Sequence, residues 1–211
     1  MYLSRVEINT ENRKLARELS HLGAYHNWVE CSFPGEIDEK IRSRKLWRID
    51  TIGDKRYLLI VSETEPNLER LEYYGVKNSA ETKSYEPFLS SIKEGMKFRF
   101  RVTLNPVKSV SDENCKNRGR VYPILNEKEL VDFLLKRSEK NGFNLKEDEF
   151  TVVNQGFEVL KKSKETTKLR KAVYEGVLTV SDKERFIETL TKGFGKKKAY
   201  GFGMMTVIPI D

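Results

Sequence analysis

The stretch Phe98-Arg99-Phe100-Arg101-Val102, at the centre of the alternating run 96–107, decides how the rest of the chain divides. Apolar side chains at every second position put Phe98, Phe100 and Val102 on one face of a strand and Arg99 and Arg101 on the other. Downstream, a polar basic loop leads to Asn126-Glu127-Lys128-Glu129, a capping box that opens a helix reaching about residue 140, and Gly142 closes it. Residues 150–160 and 169–180 are β-rich and enclose a Lys/Ser/Thr turn. Ser181-Asp182-Lys183-Glu184 is a second capping box, followed by Phe186, Ile187 and Leu190 at helical spacing, and 204–210 reads as a closing strand. The second half is thus strand, helix, strand, strand, helix, strand.

The first half repeats the order with weaker signals. Residues 2–8 alternate, and a helical stretch starts near Thr10, is interrupted near Gly23 and ends before Pro34. Runs 45–51 and 56–62 flank the hairpin signal Gly53-Asp54, 67–74 reads as a helix stopped by Gly75, and 82–88 is a weak edge strand. Two β-α-β-β-α-β units in series predict an α+β chain of two tandem ferredoxin-like (RRM-like) domains with antiparallel sheets, spanning 1–93 and 94–211. Such modules host many activities, and the fold alone selects none.

Charge narrows the field. The net charge is +7. Residues 1–93 hold 15 Lys+Arg and 15 Asp+Glu, whereas 94–211 hold 24 and 17, so the whole excess lies in the second half. This asymmetry fits a polyanion partner gripped by the second half, or a solubilising surface. Cys31 and Cys115 are far apart and outside any C-x-x-C pair, and the two histidines form no H-E-x-x-H, which speaks against a disulfide framework or a metal site. No apolar run approaches the roughly 18–20 residues of a membrane span, and the first residues alternate like a strand, so the expectation is a cytoplasmic protein with no membrane and no small-molecule cofactor.

The sharpest local signal is Gly193-Phe194-Gly195-Lys196-Lys197-Lys198-Ala199-Tyr200-Gly201-Phe202-Gly203, between the last helix and the last strand. Gly193, Gly195, Gly201 and Gly203 permit positive φ and close approach of backbone N–H groups to an anion, Lys196 and Lys197 supply cations, and Phe194, Tyr200 and Phe202 offer anchors or stacking faces. The loop lacks G-K-[ST] and precedes a strand, so it is neither a Walker A loop nor a dinucleotide fingerprint.

That loop resembles the glycine-rich signature of the repeat-associated mysterious protein superfamily. With Met1-Tyr2-Leu3-Ser4, Asn105-Pro106-Val107-Lys108 and Tyr174-Glu175-Gly176-Val177-Leu178, in order along the chain, the sequence is similar to the CasE family, the repeat-processing endoribonucleases of type I-E CRISPR systems. The resemblance implies two ferredoxin-like modules and metal-independent cleavage of a repeat hairpin at the 3′ base of its stem. It also implies 5′-hydroxyl and 2′,3′-cyclic phosphate ends, and retention on the mature guide RNA beside the other subunits of Cascade. The family usually carries a tyrosine three residues before its catalytic histidine; here that position is Gly23. An arginine often found near the Asn-Pro element is likewise replaced by Thr103-Leu104.

Cleaving RNA without metal requires proton transfer from the 2′-hydroxyl and to the leaving 5′-oxygen, a task for a group with pKa near 7. His21 and His26 are the two candidates of that type, and His26 matches the family's catalytic position. Lys198 aligns with the loop lysine expected to stabilise charge on the scissile phosphate. Tyr25 is a candidate helper or a core residue. Lys161, Lys162, Lys164, Lys168 and Arg170, with Lys171, surround the turn of the second-half hairpin and match the family element that grips the RNA stem; the bland reading is a lysine-protected hairpin. Arg99 and Arg101 are expected to line an RNA surface, with the basic stretch 116–120 as a weaker candidate. A non-catalytic RNA-binding subunit, or a protein-interaction module whose charge only solubilises, are the competing readings.

Overall fold

The computed structural model describes residues 1–110, 120–162 and 165–210, with Lys162 described for its backbone alone. The first half runs β1 (Tyr2–Glu7), α1 (Arg13–Glu18), α2 (Leu22–Cys31), α3 (Pro34–Asp38), β2 (Lys45–Ile52), β3 (Lys55–Ser62), α4 (Leu68–Leu71), β4 (Glu81–Ser84) and α5 (Glu86–Ser91). Its strands lie in the order β2-β3-β1-β4, every neighbouring pair antiparallel. This is the ferredoxin-like arrangement, with the first and third strands central.

Local chemistry explains where the helical stretch divides. Asn12 caps α1, its side chain accepting from the backbone N–H groups of Lys14 and Leu15. The chain then leaves helical geometry, and His21 caps α2 by accepting from Ala24 N at 3.2 Å. The interruption therefore precedes Gly23, which sits in the first turn of α2. Pro34 opens α3 from a first-turn position, where a missing N–H costs nothing, and so does more than close the helix before it. The expected strand 82–88 stops at Ser84, because Pro87 stands in the first turn of α5 and the segment turns helical from Glu86.

The second half runs β5 (Lys97–Leu104), β6 (Val107–Val110), β7 (Arg120–Pro123), α6 (Glu127–Ser138), β8 (Phe143–Asn144), β9 (Phe150–Lys162), β10 (Glu165–Val180), α7 (Lys183–Lys192) and β11 (Met205–Pro209). β11, β5, β10 and β9 repeat the first sheet's order, and β8 pairs with the far end of β10. The expected strand 96–107 is two strands. Proline lacks the ladder donor, Asn105 Nδ2 instead donates to Arg170 O at 2.7 Å, and the chain re-forms as the β6–β7 hairpin. Asn126 caps α6 as expected, while Asp182 rather than Ser181 caps α7, accepting from Arg185 N at 3.0 Å.

Two apolar clusters hold the molecule, and each borrows from the other half. Phe98, Phe100 and Val102 pack with Leu130, Leu134, Phe186 and Leu190, and with Leu46 and Val61 from the first sheet. Val6, Trp28, Val29, Leu58 and Ile60 pack with Leu160, Leu169 and Phe202 from the second half. Arg48 is buried across the seam: its guanidinium donates to Arg101 O at 2.7 Å, Met204 O at 3.0 Å and Thr206 Oγ1 at 2.7 Å, and pairs with Asp50. A charge so far from water is tolerated because its donors are satisfied. Among the described residues, no helix is long and apolar enough to cross a membrane.

Candidate active site at the junction of the two modules

Helix α2 buries Leu22, Tyr25, Trp28 and Val29, a spacing that places these side chains on one face. His26 follows Tyr25 by about 100° around the axis and leaves that buried face, with its side chain 23% exposed. Its ring meets Tyr200 of the glycine-rich loop edge-on, centroids 5.3 Å apart at 64°. The sequence-distant histidine and loop therefore come together.

The loop is shaped by its packing against β2. Trp47 Nε1 donates to Ala199 O at 3.0 Å. Gly201 has φ +81°, and a Cβ there would lie 2.7 Å from the Trp47 ring; at Gly203, φ +85°, a Cβ would lie 2.4 Å from Phe194 O. Glycine is thus required to close the loop on itself and on the first module. Backbone N–H groups of Gly193, Phe194, Tyr200 and Gly203 bond to Thr189 O, Gly203 O, Lys197 O and Thr103 O. Those donors face inward, which corrects the expectation that Gly193 and Gly203 cradle phosphate. Gly195, Lys196 and Lys197 form the exposed crest. Lys198 folds back over Gly203 and donates to Gly193 O at 3.2 Å; burial, with Arg44 nearby, holds its pKa below the ordinary lysine value.

Behind His26 lies a chain of charge. His26 Nδ1 is 3.8 Å from Glu30 Oε1, one helical turn on, and Lys45 Nζ reaches Glu30 Oε2 at 3.4 Å. Lys45, its side chain 2% exposed, pairs with Glu36 at 2.7 Å and lies 4.9 Å from the centre of the Phe33 ring. Glu36 also accepts from Ser43 Oγ at 2.6 Å, Ser43 N at 3.1 Å and Thr64 Oγ1. Burial pushes the Glu36 carboxyl up, but these donors together outweigh it and bring the pKa from 4.5 to about 2.

Gly23 has a structural reason to lack a side chain. A Cβ there would lie 2.8 Å from the carbonyl oxygen of Lys161 on β9 and 3.0 Å from the His21 ring. Tyr25 does not take over beside His26: it is buried, its ring stacks on Trp47 at 5.9 Å, and its hydroxyl accepts a long bond from Arg56 at 3.4 Å.

Of the hairpin residues, Lys161 and Lys168 are exposed on the same two-stranded ladder, and Lys162 extends it. Lys164 and the stretch 111–119 lie outside the described residues, while Arg120 begins β7. Arg170 is a correction. It is 6% exposed, its guanidinium donates to Ile124 O at 2.8 Å, Gly156 O at 3.2 Å and Gln155 Oε1, and it lies 5.4 Å from the Phe157 ring centre. Its charge is spent on folding the hairpin. Arg99 is exposed, as alternation requires, but Arg101 pairs with Glu175 and with Asp50 at 3.3 Å. It belongs to a cavity of about 670 Å³ between the modules, where Lys171 is likewise paired with Glu158. His26 does not line that cavity. The contribution of Glu30, Lys45 and Tyr200 beside His26 was missed from sequence; each is ordinary in its own segment, and only the fold brings them to one ring.

A tandem pair of ferredoxin-like modules, joined at a histidine-bearing helix and a lysine-rich glycine loop, is the class that this architecture defines. The chain belongs to the CRISPR associated protein family, whose pattern it matches over residues 1–209. It is similar to the CRISPR-associated endoribonuclease Cse3 of Thermus thermophilus, 27% identical across 99% of this chain and 100% of that protein. Similarity to the CRISPR system Cascade subunit CasE of Escherichia coli is 22% identity over 56% of this chain and 61% of the relative. A solved structure of the CRISPR endoribonuclease Cse3 bound to 19-nucleotide RNA superposes with a TM-score of 0.83 at 26% identity, covering 99% of this chain and 100% of that one.

Proposed function

We propose that this protein is an endoribonuclease that cleaves CRISPR repeat hairpins in precursor RNA and remains bound to the guide RNA as a Cascade subunit. The observation that carries the reading is the edge-on meeting of His26 and Tyr200, which brings the one helix-borne imidazole outside the buried face of α2 against the glycine-rich loop. The end-to-end likeness to Cse3, a relative named as an endoribonuclease and solved with RNA, supports it.

In this reading the ribose 2′-oxygen attacks the adjacent phosphorus, the P–O5′ bond breaks, and the products carry a 2′,3′-cyclic phosphate and a 5′-hydroxyl. The 2′-hydroxyl gives up one proton and the 5′-oxygen takes up one; His26 moves the proton at one of these oxygens, a role suited to an imidazole titrating near neutrality, and solvent exchanges it at the other. Lys198 offsets charge on the phosphate once its ammonium exchanges Gly193 O for a phosphate oxygen. Lys161, Lys162 and Lys168 hold the stem through its backbone, with Lys196, Lys197 and Arg99 at the periphery. Position alone supports these roles. The deep major groove of A-form RNA excludes side-chain reading, and phosphate binding suits flexible lysines. The functional units are 1–93, which presents the histidine, and 94–211, which presents the loop and hairpin, in a protein of the cytoplasm.

The test is cleavage of the cognate repeat hairpin in excess EDTA by the purified protein and by His26→Ala. Cleavage by the former and loss in the latter, with hairpin affinity kept within a few fold, is the expected pair. A strict divalent-metal requirement, or normal cutting by His26→Ala, overturns the reading.

A further inference from the structure

We infer that Glu30, fixed from behind by the buried ammonium of Lys45, is a positioning residue that orients the His26 ring through its Nδ1 side and stabilises the ring when protonated. The inference rests on the proposed catalytic role of His26 and deepens it.

The geometry begins at the innermost group. Glu36 is saturated by Ser43 Oγ, Ser43 N, Thr64 Oγ1 and Lys45 Nζ, so it is a rigid anchor. Lys45 is almost wholly buried and has three donors; one is taken by Glu36 at 2.7 Å, and another reaches Glu30 Oε2 at 3.4 Å. A carboxylate held at Oε2 by a buried cation has lost the freedom that makes an ordinary exposed i,i+4 pair weak. Its other oxygen, Oε1, stands 3.8 Å from His26 Nδ1, an ion-pair separation rather than a hydrogen bond. On the loop side the Tyr200 ring limits how far the imidazole can turn. The ring is thereby held between a carboxylate and an aromatic edge, with Nδ1 on the Glu30 side. The second role follows from charge: a nearby carboxylate favours the imidazolium that proton transfer creates, in the way a third group serves the base of a hydrolytic triad.

The elements packed against α2 carry further titratable or charged groups, of which Tyr200 is in ring contact with His26. These are Tyr200 and Lys198 from the loop, Lys45 from β2, Glu36 from α3, Lys161 from β9 and the His21 cap; α4 meets the opposite side, where Trp28 Nε1 donates to Leu71 O. Glu30 is the carboxylate that stands at ion-pair distance from His26 Nδ1.

The experiment is the single-turnover cleavage rate of the repeat hairpin from pH 5 to 9, with an NMR titration of the two histidines in the same protein. Glu30→Gln should lower the His26 midpoint by about half a unit to one unit, the His21 midpoint staying in place. The His26-dependent limb of the rate profile should move with it, and the plateau rate should fall roughly three- to tenfold with hairpin affinity unchanged. Glu30→Asp should restore part of both. Lys45→Met, which removes a cation behind Glu30, should instead raise the His26 midpoint while the plateau rate falls through lost positioning; if that variant does not fold, the Glu30 pair still decides. An unmoved titration and profile in Glu30→Gln, while His26→Ala is inactive, overturns this inference and leaves the proposed function standing. Normal cleavage by His26→Ala removes that function itself.

Discussion

The two modules share a strand order and differ in what they do between the strands. In the first, β2 and β3 are 8 residues each, and the helical crossover before them is broken into α1, α2 and α3. In the second, the α-helix described in the corresponding connection is the unbroken 12-residue α6, flanked by β6, β7 and β8, and the hairpin strands β9 and β10 lengthen to 13 and 16 residues. One module has spent its variation on restarting a helix, which sets His26 one turn beyond a new cap. The other has put it into a long basic hairpin and a glycine loop. The lesson is that the sheet is a common frame and the connections differ; in the proposed reading they divide the chemistry, proton transfer on one side and grip on the phosphates on the other.

That division is open to attack. The largest expected effect is on the first module. Removing its imidazole in His26→Ala should cut the cleavage rate by about 10²- to 10⁴-fold and leave affinity within a few fold, measured by single-turnover cleavage and hairpin binding. A parallel fall in both would erase the distinction between the modules.

Next comes a pair of glycine turns, one taken from each half. Gly53 (φ +63°) has nothing within 4 Å of a would-be Cβ, whereas Gly201 (φ +81°) abuts the Trp47 ring. Gly53→Ala should cost about 1 kcal/mol from backbone conformation alone. Gly201→Ala adds overpacking and should cost about 2–4 kcal/mol in chemical denaturation, with cleavage reduced because the loop is displaced. Equal costs would mean that the Trp47 seam yields freely.

A smaller effect tests the second module. Lys161→Ala with Lys168→Ala should weaken hairpin binding roughly tenfold and reduce the salt slope by about 0.7–0.9 for each phosphate no longer neutralised, leaving the cleavage rate of bound RNA near normal. An unchanged slope would put the stem elsewhere.

The smallest effect is one of pH. Glu36 has its folded pKa depressed to about 2, below its ordinary 4.5, so its stabilisation is fully present above that ordinary value and fades as pH falls from 4.5 toward 2. Denaturation midpoints should hold from pH 7 to 5 and decline below, and Glu36→Gln should flatten that part of the decline. Since Glu36 anchors the first module's charge chain, a decline unaffected by the substitution would detach that chain from folding stability.

Most of the frame was legible in the sequence because burial writes itself as period. Phe98, Phe100 and Val102 alternate and are buried, and the caps at Asn126 and near Asp182 mark helix starts within a residue. Departures occurred where a single side chain overrode the pattern: His21 serving as a cap, Pro87 turning an apparent strand into α5, Asn105-Pro106 dividing β5 from β6. The site was half legible. His26 and the glycine loop stand out by type and composition, but a basic residue's fate depends on its surroundings. Arg170 and Lys168 sit two apart in one basic strand; one fills the interior and the other faces water. Nothing in composition separates them, and nothing but three-dimensional closure joins Lys45 to Glu30 or Tyr200 to His26.

The bond from Trp47 Nε1 to Ala199 O spans 152 positions, and Phe202 completes the cluster beneath α2. A nascent chain that has extruded its histidine helix therefore lacks the wall against which that helix works. In the proposed reading, competence to cut arrives only once synthesis has passed the glycine turn and the turn has docked, so a stalled or prematurely terminated product would carry the imidazole without being an active nuclease.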